Sequence, residues 1–120
     1  MKKSKSNNPQ LLNLIHFLKR AAKENDAKIW NRIANALSQA RKRRVSVNLS
    51  RINRYTEKGQ IVAVAGKVLG SGTLSHPVTI AAFEFSDAAK EKIEKAKGKC
   101  FTFPELVKTS PKGSNVKIVG

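Results

Sequence analysis

Residues 61–69 read Ile-Val-Ala-Val-Ala-Gly-Lys-Val-Leu, and residues 78–85 read Val-Thr-Ile-Ala-Ala-Phe-Glu-Phe. The run Ile61 to Ala65 is short, rich in Val and bounded by Gly59 and Gly66, which marks a strand in preference to a helix. Lys67-Val68-Leu69 continues it past a bend at Gly66. The second run is also a strand, with Val78, Ile80, Ala82 and Phe83 among its apolar positions. Both are nearly continuous in apolar residues where a half-solvated strand would alternate, so both faces of these strands are expected to be covered.

Beyond the strands the signals are local. Ser86 is placed to cap a helix over residues 87–97, with Ala89, Ile93 and Ala96 facing inward and Glu91 and Lys95 at i, i+4. Residues 99–101 suit a short strand. Thr102-Phe103-Pro104-Glu105 fits a capping box ahead of a last helix, with Pro tolerated in its first turn. Pro111-Lys112-Gly113 then turns the chain into a final strand, residues 116–119. The order strand, strand, helix, strand, helix, strand predicts a small α/β layer with a parallel component.

Upstream the period changes to that of a helix. After Pro9, the residues Leu11, Leu14, Ile15, Leu18 and Ala22 form one apolar stripe to about Lys23, with His16, Arg20 and Lys23 opposite. Asn25 or Asp26 is the expected cap of a second helix, whose Ile29, Trp30, Ile33 and Leu37 face inward. Trp30 reads as a core residue whose indole N–H needs a partner. The expectation is thus one domain of 120 residues: a mobile basic tail over residues 1–8, a helical half over 9–58 and an α/β half over 59–120.

Charge separates the two halves. The chain holds 24 Lys and Arg against 8 Asp and Glu, a net charge of +16, which favours a polyanionic partner. Residues 1–60 carry +12 of this and residues 61–120 only +4, and all seven arginines lie at or before Arg54. Guanidinium grips phosphate as a planar fork where ammonium is a hydrated point charge, so the first half reads as the contact half.

The densest cations are Arg41, Lys42, Arg43 and Arg44. Val45, Val47 and Leu49 then alternate with polar residues, a brief extended segment leading to a helix that Asn48 or Ser50 is placed to cap. Such a loop would lie beside a helix N-terminus, where exposed amides add to anion affinity. On that helix Arg51, Arg54 and Lys58 would share one face, with Ile52 and Tyr55 turned toward the core. These seven cations are the first-rank phosphate contacts, and Lys19, Arg20, Lys23 and Lys67 the second. A DNA-binding or chromatin-type module built on the first two helices is the alternative, weakened because the densest cations follow the second helix.

Other chemistries find little support. One cysteine, Cys100, excludes an internal disulfide, and one Cys with two His gives no zinc spacing. Gly66-Lys67-Val68 lacks the Ser or Thr of a Walker loop, so Gly66, Gly70 and Gly72 read as turn glycines, or as a loop where Lys67 and backbone amides approach RNA. His16 and His76 have no marked nucleophile or carboxylate partner. No 18-residue apolar span exists, and no cofactor, small-molecule substrate or membrane partner is expected.

Taken together, Asn8-Pro9, Val47-Asn48-Leu49-Ser50-Arg51-Ile52, residues 66–72, Val78-Thr79-Ile80-Ala81-Ala82, Phe85-Ser86 and residues 113–119 resemble the ribosomal protein family eighteen-e of archaeal and eukaryotic large subunits. That family is related to the bacterial ribosomal protein numbered fifteen. The resemblance covers about residues 8–120 and, in length, follows the archaeal form. It implies a structural, non-enzymatic ribosomal protein in the cytoplasmic ribosome, its basic half on large-subunit rRNA and near other ribosomal proteins. Its α/β half is implied to be an irregular superhelix of strands and helices. Many relatives have paired glycines after the helix before Cys100, where this chain has Gly98-Lys99.

Overall fold

Five strands and five helices alternate irregularly along the computed structural model, which describes residues 9–39 and 45–120. In chain order they are α1 Pro9–Glu24, α2 Lys28–Leu37, β1 Val45–Asn48, α3 Leu49–Tyr55, β2 Ile61–Leu69, β3 Thr79–Phe85, α4 Asp87–Lys95, β4 Lys99–Phe101, α5 Phe103–Thr109 and β5 Val116–Ile118. The expectations for the tail 1–8 and for Arg41, Lys42, Arg43 and Arg44 lie outside the described residues. The fold is α/β, with a helical N-terminal segment and a parallel sheet, as the pattern of elements predicts.

β2 is the strand on which the others assemble. Along one edge β3 pairs with it from Ile61 opposite Thr79 to Val68 opposite Phe85. The other edge is shared: β5 takes Ile61 to Ala63, and β1 takes Gly66 to Leu69. β4 extends the sheet beyond β3, and every pairing is parallel. β1 comes from the segment before residue 59, so the brief extended stretch read from alternation has a partner more than ten residues further on.

Alternation along β2 explains its continuous apolar sequence. Val62, Val64 and Val68 point into a core with Val47, Leu49, Ile52, Ile80, Ala89 and Ile93. Ala63 and Ala65 point into the opposite core, with Leu11, Leu18, Trp30, Ile33, Leu37, Phe103 and Leu106. Hence α1, α2 and α5 cover one face of the sheet and α3 and α4 the other. The small Ala side chains lie on the face where three helices and the bulk of Trp30 approach, which is how two full layers fit over one strand.

The bend at Gly66 is a register irregularity, since β2 advances three residues against two of β3 between Val64 and Lys67. A Cβ at Gly66 would stand 1.9 Å from the carbonyl oxygen of Val45, so only glycine lets β1 approach this closely. From β2 to β3 the chain crosses by an irregular loop, residues 70–78, where a parallel connection ordinarily carries a helix.

Local expectations are met at several helix ends. The Ser86 hydroxyl accepts from the Ala89 amide, and Thr102 and Glu105 form the reciprocal capping box of α5. Others are corrected. Neither Asn25 nor Asp26 caps α2, whose first flanking residue is Ala27. Asn25 instead closes α1, its side-chain amide donating to the Ala21 carbonyl at 2.9 Å, while Asp26 takes a φ of 51° in the turn. Ala21, one position from the predicted Ala22, is the buried residue in the last turn of α1. Asn48 stands at the start of α3 without a side-chain cap. After α4, Lys97 adopts the left-handed φ of 66° that glycine usually fills, and Gly98 packs beneath the Val78 carbonyl.

Candidate nucleic-acid interface

The predicted contact residues fall into separate groups. Lys19, Arg20 and Lys23 are exposed on α1, on the layer whose apolar side holds Leu11, Ile15 and Leu18. Arg51 and Arg54 are exposed on α3, in the opposite layer. Lys58 is exposed, but α3 ends at Tyr55, so it lies in the following turn and the helical face of three cations is a face of two. Lys67 is half-buried in β2. The fold therefore presents basic groups on both layers, α1 over one core and α3 over the other.

Arg51 is held in place before any ligand arrives. Its guanidinium donates to the Gly120 carbonyl at 3.2 Å and lies 5.3 Å from the centre of the Tyr55 ring. Tyr55, expected to turn inward with Ile52, is 49% exposed, because α3 ends there and its ring serves as the platform for Arg51. A stacked, pre-oriented guanidinium loses little freedom when it grips a phosphate.

Three of the nine lysines of the second half are occupied by the fold. Lys92 donates to the Gly70 and Gly72 carbonyls at 2.6 and 2.8 Å, Lys112 to Asn25 at 2.9 Å and Lys117 to Tyr55 at 2.7 Å. Asn25 and Tyr55 stand at the ends of α1 and α3, where carbonyls lack helical partners and a cation is favoured. This role left no signal in a sequence read for charge density. Lys28 and Arg32, exposed at i, i+4 on α2, were also missed, although the apolar face of α2 already implied them.

The glycine loop is exposed at Ser71 and Gly72 but fastened through its carbonyls. The Ser71 carbonyl accepts from the Ser50 amide, and Gly72, at φ 88°, sits so tightly on Ser50 that an added Cβ would be 2.4 Å from the Ser50 Cβ. Its carbonyls are thus engaged by Lys92 and Ser50. Gly72 meets the positive-φ expectation, while Gly66 and Gly70 are glycines for close approach.

The remaining polar chemistry is structural. The buried Thr56 hydroxyl donates to the Ile52 carbonyl at 2.7 Å, so it accepts from His76 Nε2 at 2.9 Å and sets the proton-bearing nitrogen of that ring. Burial pushes the Cys100 thiol up, Glu94 adds to the rise and Lys90 partly offsets it. Among the described residues no group of three or more His, Cys, Asp or Glu is placed to hold a metal ion, and no described helix is long and apolar enough to cross a membrane.

Comparison with known proteins gives the chain a family. The family described as ribosomal protein 60S L18 and 50S L18e matches residues 1–120. A large ribosomal subunit protein eL18 of Methanoregula boonei is 52% identical over 112 residues, covering 93% of each chain. Those of Methanospirillum hungatei and Methanococcus maripaludis are each 45% identical, over 98% and 99% of both chains respectively. With the family model spanning every residue and relatives 45–52% identical over nearly their whole length, the chain belongs to the ribosomal protein 60S L18 and 50S L18e family.

Proposed function

We propose that this protein is a structural, non-enzymatic constituent of the large ribosomal subunit in the cytoplasm, binding folded rRNA through phosphate contacts. Arg51, Arg54 and Lys58 form the described part of the first-rank contact set, Lys19, Arg20, Lys23 and Lys67 the second rank, and the run Arg41, Lys42, Arg43 and Arg44 completes it. The observation that carries this reading is the division of labour among cations. Lys92, Lys112 and Lys117 of the second half close carbonyls within the fold, while Arg54, Lys58, Lys19, Arg20 and Lys23 are exposed. Family membership supports the ribosome as the setting, with other ribosomal proteins as neighbours.

Binding of deproteinised large-subunit rRNA tests it directly. With about six phosphates neutralised, affinity falls roughly a thousandfold between 50 and 200 mM salt. A flat salt response removes the phosphate mechanism. Competition by duplex DNA equal to that by structured rRNA favours the DNA-binding alternative instead. In cell extract the protein sediments with the large subunit and loses that position after ribonuclease.

A further inference from the structure

At one end of the sheet two neighbouring parallel strands send the chain to opposite faces. β3 leaves through Ser86 into α4, whose Ala89 and Ile93 join the core of Val62 and Ile80. β4 leaves through Thr102 into α5, whose Phe103 and Leu106 join the core of Trp30. Such divergence opens a crevice at the carboxyl ends of the strands, the place where open α/β sheets bind ligands. Here it has a volume of about 470 Å³ and opens to solvent.

Its lining combines two chemistries. Lys67 and Lys90 supply ammonium groups, and Phe83, Phe85 and Phe101 supply aromatic surface, all three rings being half-buried. Glu84, opposite Lys67 in the strand register, adds one hydrogen-bond acceptor. The Ser86 and Thr102 hydroxyls already accept from the Ala89 and Glu105 amides, and the full positive charges in the lining are those of the two lysines. Two cations against one carboxylate match a single phosphate better than a polyphosphate. Aromatic walls beside them match a flat base.

We propose that this crevice receives one unpaired nucleotide of an RNA strand, its base against the phenylalanines and its phosphate on Lys67 and Lys90. Glu84 accepts from an amino or hydroxyl group of that nucleotide. Because the crevice is open, the strand can enter and leave on either side of the captured residue. The assignment rests on the RNA-binding role proposed above and adds to it a contact with a base, where the helices α1 and α3 offer contacts with phosphate.

Cys100 lines the crevice and is the only thiol in the chain, which makes it a reporter. The rate of its alkylation by iodoacetamide at fixed pH is measured on the full chain with hexaadenylate RNA, a blunt RNA duplex, adenosine monophosphate or inorganic phosphate at matched ionic strength. Saturating hexaadenylate is expected to slow the reaction about fivefold or more, with little effect from duplex or phosphate. The double variant Lys67→Gln, Lys90→Gln, with an unchanged melting temperature, is expected to lose that protection. An unchanged rate overturns the site, whether or not the strand binds elsewhere. Equal protection by duplex or phosphate overturns the base contact, and equal protection by the mononucleotide overturns the strand as occupant. Protection that survives in the double variant overturns the lysine assignment. If the double variant melts early, Lys90→Gln alone, on an exposed helix position, decides the lysine assignment by the same rate. Binding of large-subunit rRNA with its salt slope, measured on the same preparation, reports separately on the broader function.

Discussion

The indole Nε1 of Trp30 donates to the main-chain carbonyl of Pro111 across 2.7 Å, joining α2 to the turn that precedes β5. Trp30 is fully buried and this is the bond that satisfies its one polar atom. The turn it holds directs β5 back to the first residues of β2, so a side chain in the helical layer helps to close the sheet. Trp30→Phe removes the donor and part of the ring volume, and about 2 kcal/mol of stability is expected to go with them. Urea unfolding measures it as a lower midpoint with an unchanged slope.

Gly113 in the same turn tests how closely the two layers meet. Its φ is 62°, and an added Cβ would lie 2.5 Å from Ile29 Cγ2 and 3.3 Å from the Trp30 ring. Gly59, at φ 83°, has nothing within 4 Å of such a Cβ. Gly59→Ala therefore carries only the conformational cost of a left-handed residue, about 1–2 kcal/mol. Gly113→Ala carries that and a steric conflict as well, so it is expected to lower the melting temperature further. Equal losses in the two variants would mean that Ile29 simply moves aside.

Lys92 is a fold residue that charge counting cannot distinguish from its neighbours on α4. Through the Gly70 and Gly72 carbonyls it holds the loop whose Ser71 carbonyl accepts from Ser50, the first turn of α3. Lys92→Met keeps the aliphatic stem and removes the donor, at a cost of about 1–2 kcal/mol. Native-state hydrogen exchange is expected to show the Ser50 amide losing protection before amides in β2 and β3 do. If all of them change together, the loop is part of the global unfolding unit.

Much of this architecture was legible because it depends on local pattern. β2 and β3 are apolar on both faces, the α1 stripe needs only its own period, and the Thr102–Glu105 capping box is complete within four residues. Non-local relations were not legible. Val45 and Val47 mark a strand, but nothing within residues 45–48 says that its partner begins at Gly66. Asn25 has the chemistry of an N-cap, yet the same amide serves the end of α1, and the neighbouring chain decides between them. Tyr55 was assigned inward by helical spacing, which cannot know that the helix stops there and that Arg51 needs its ring. For the candidate site, charge density identified the exposed α1 and α3 cations and passed over Lys28 and Arg32. It could not separate cations that project from those, such as Lys92 and Lys117, that fasten the fold.

Arg51 and Arg54 allow binding to be separated from stability. Arg51 donates to the Gly120 carbonyl and lies over Tyr55, whereas Arg54 is exposed one helical turn further on. Replacing Arg51 by Lys retains the charge but loses the planar fork, and a stability loss of about 0.5 kcal/mol is expected. Arg54→Lys is expected to leave unfolding unchanged. Arg54→Gln and Arg51→Gln should both weaken rRNA binding and reduce its salt slope by about one. A variant of Arg54 that unfolds early would give it a structural role instead.

Cys100 supplies a pH-dependent test of the sheet's open end. Desolvation by burial raises the thiol pKa, Glu94 raises it further, and Lys90 opposes both. The native state therefore holds the thiol proton more tightly than the unfolded chain, whose cysteine titrates at about 8.5. The stability this contributes is fully present below that value and is lost as pH rises through the higher native pKa. Compared with Cys100→Ala, the wild type is expected to show a constant difference in unfolding free energy up to about pH 8 and a falling one above it. The pH profile of alkylation should have its midpoint above the ordinary cysteine value, and Glu94→Gln should move it downward. A midpoint that stays fixed in the Glu94 variant would leave burial as the whole cause.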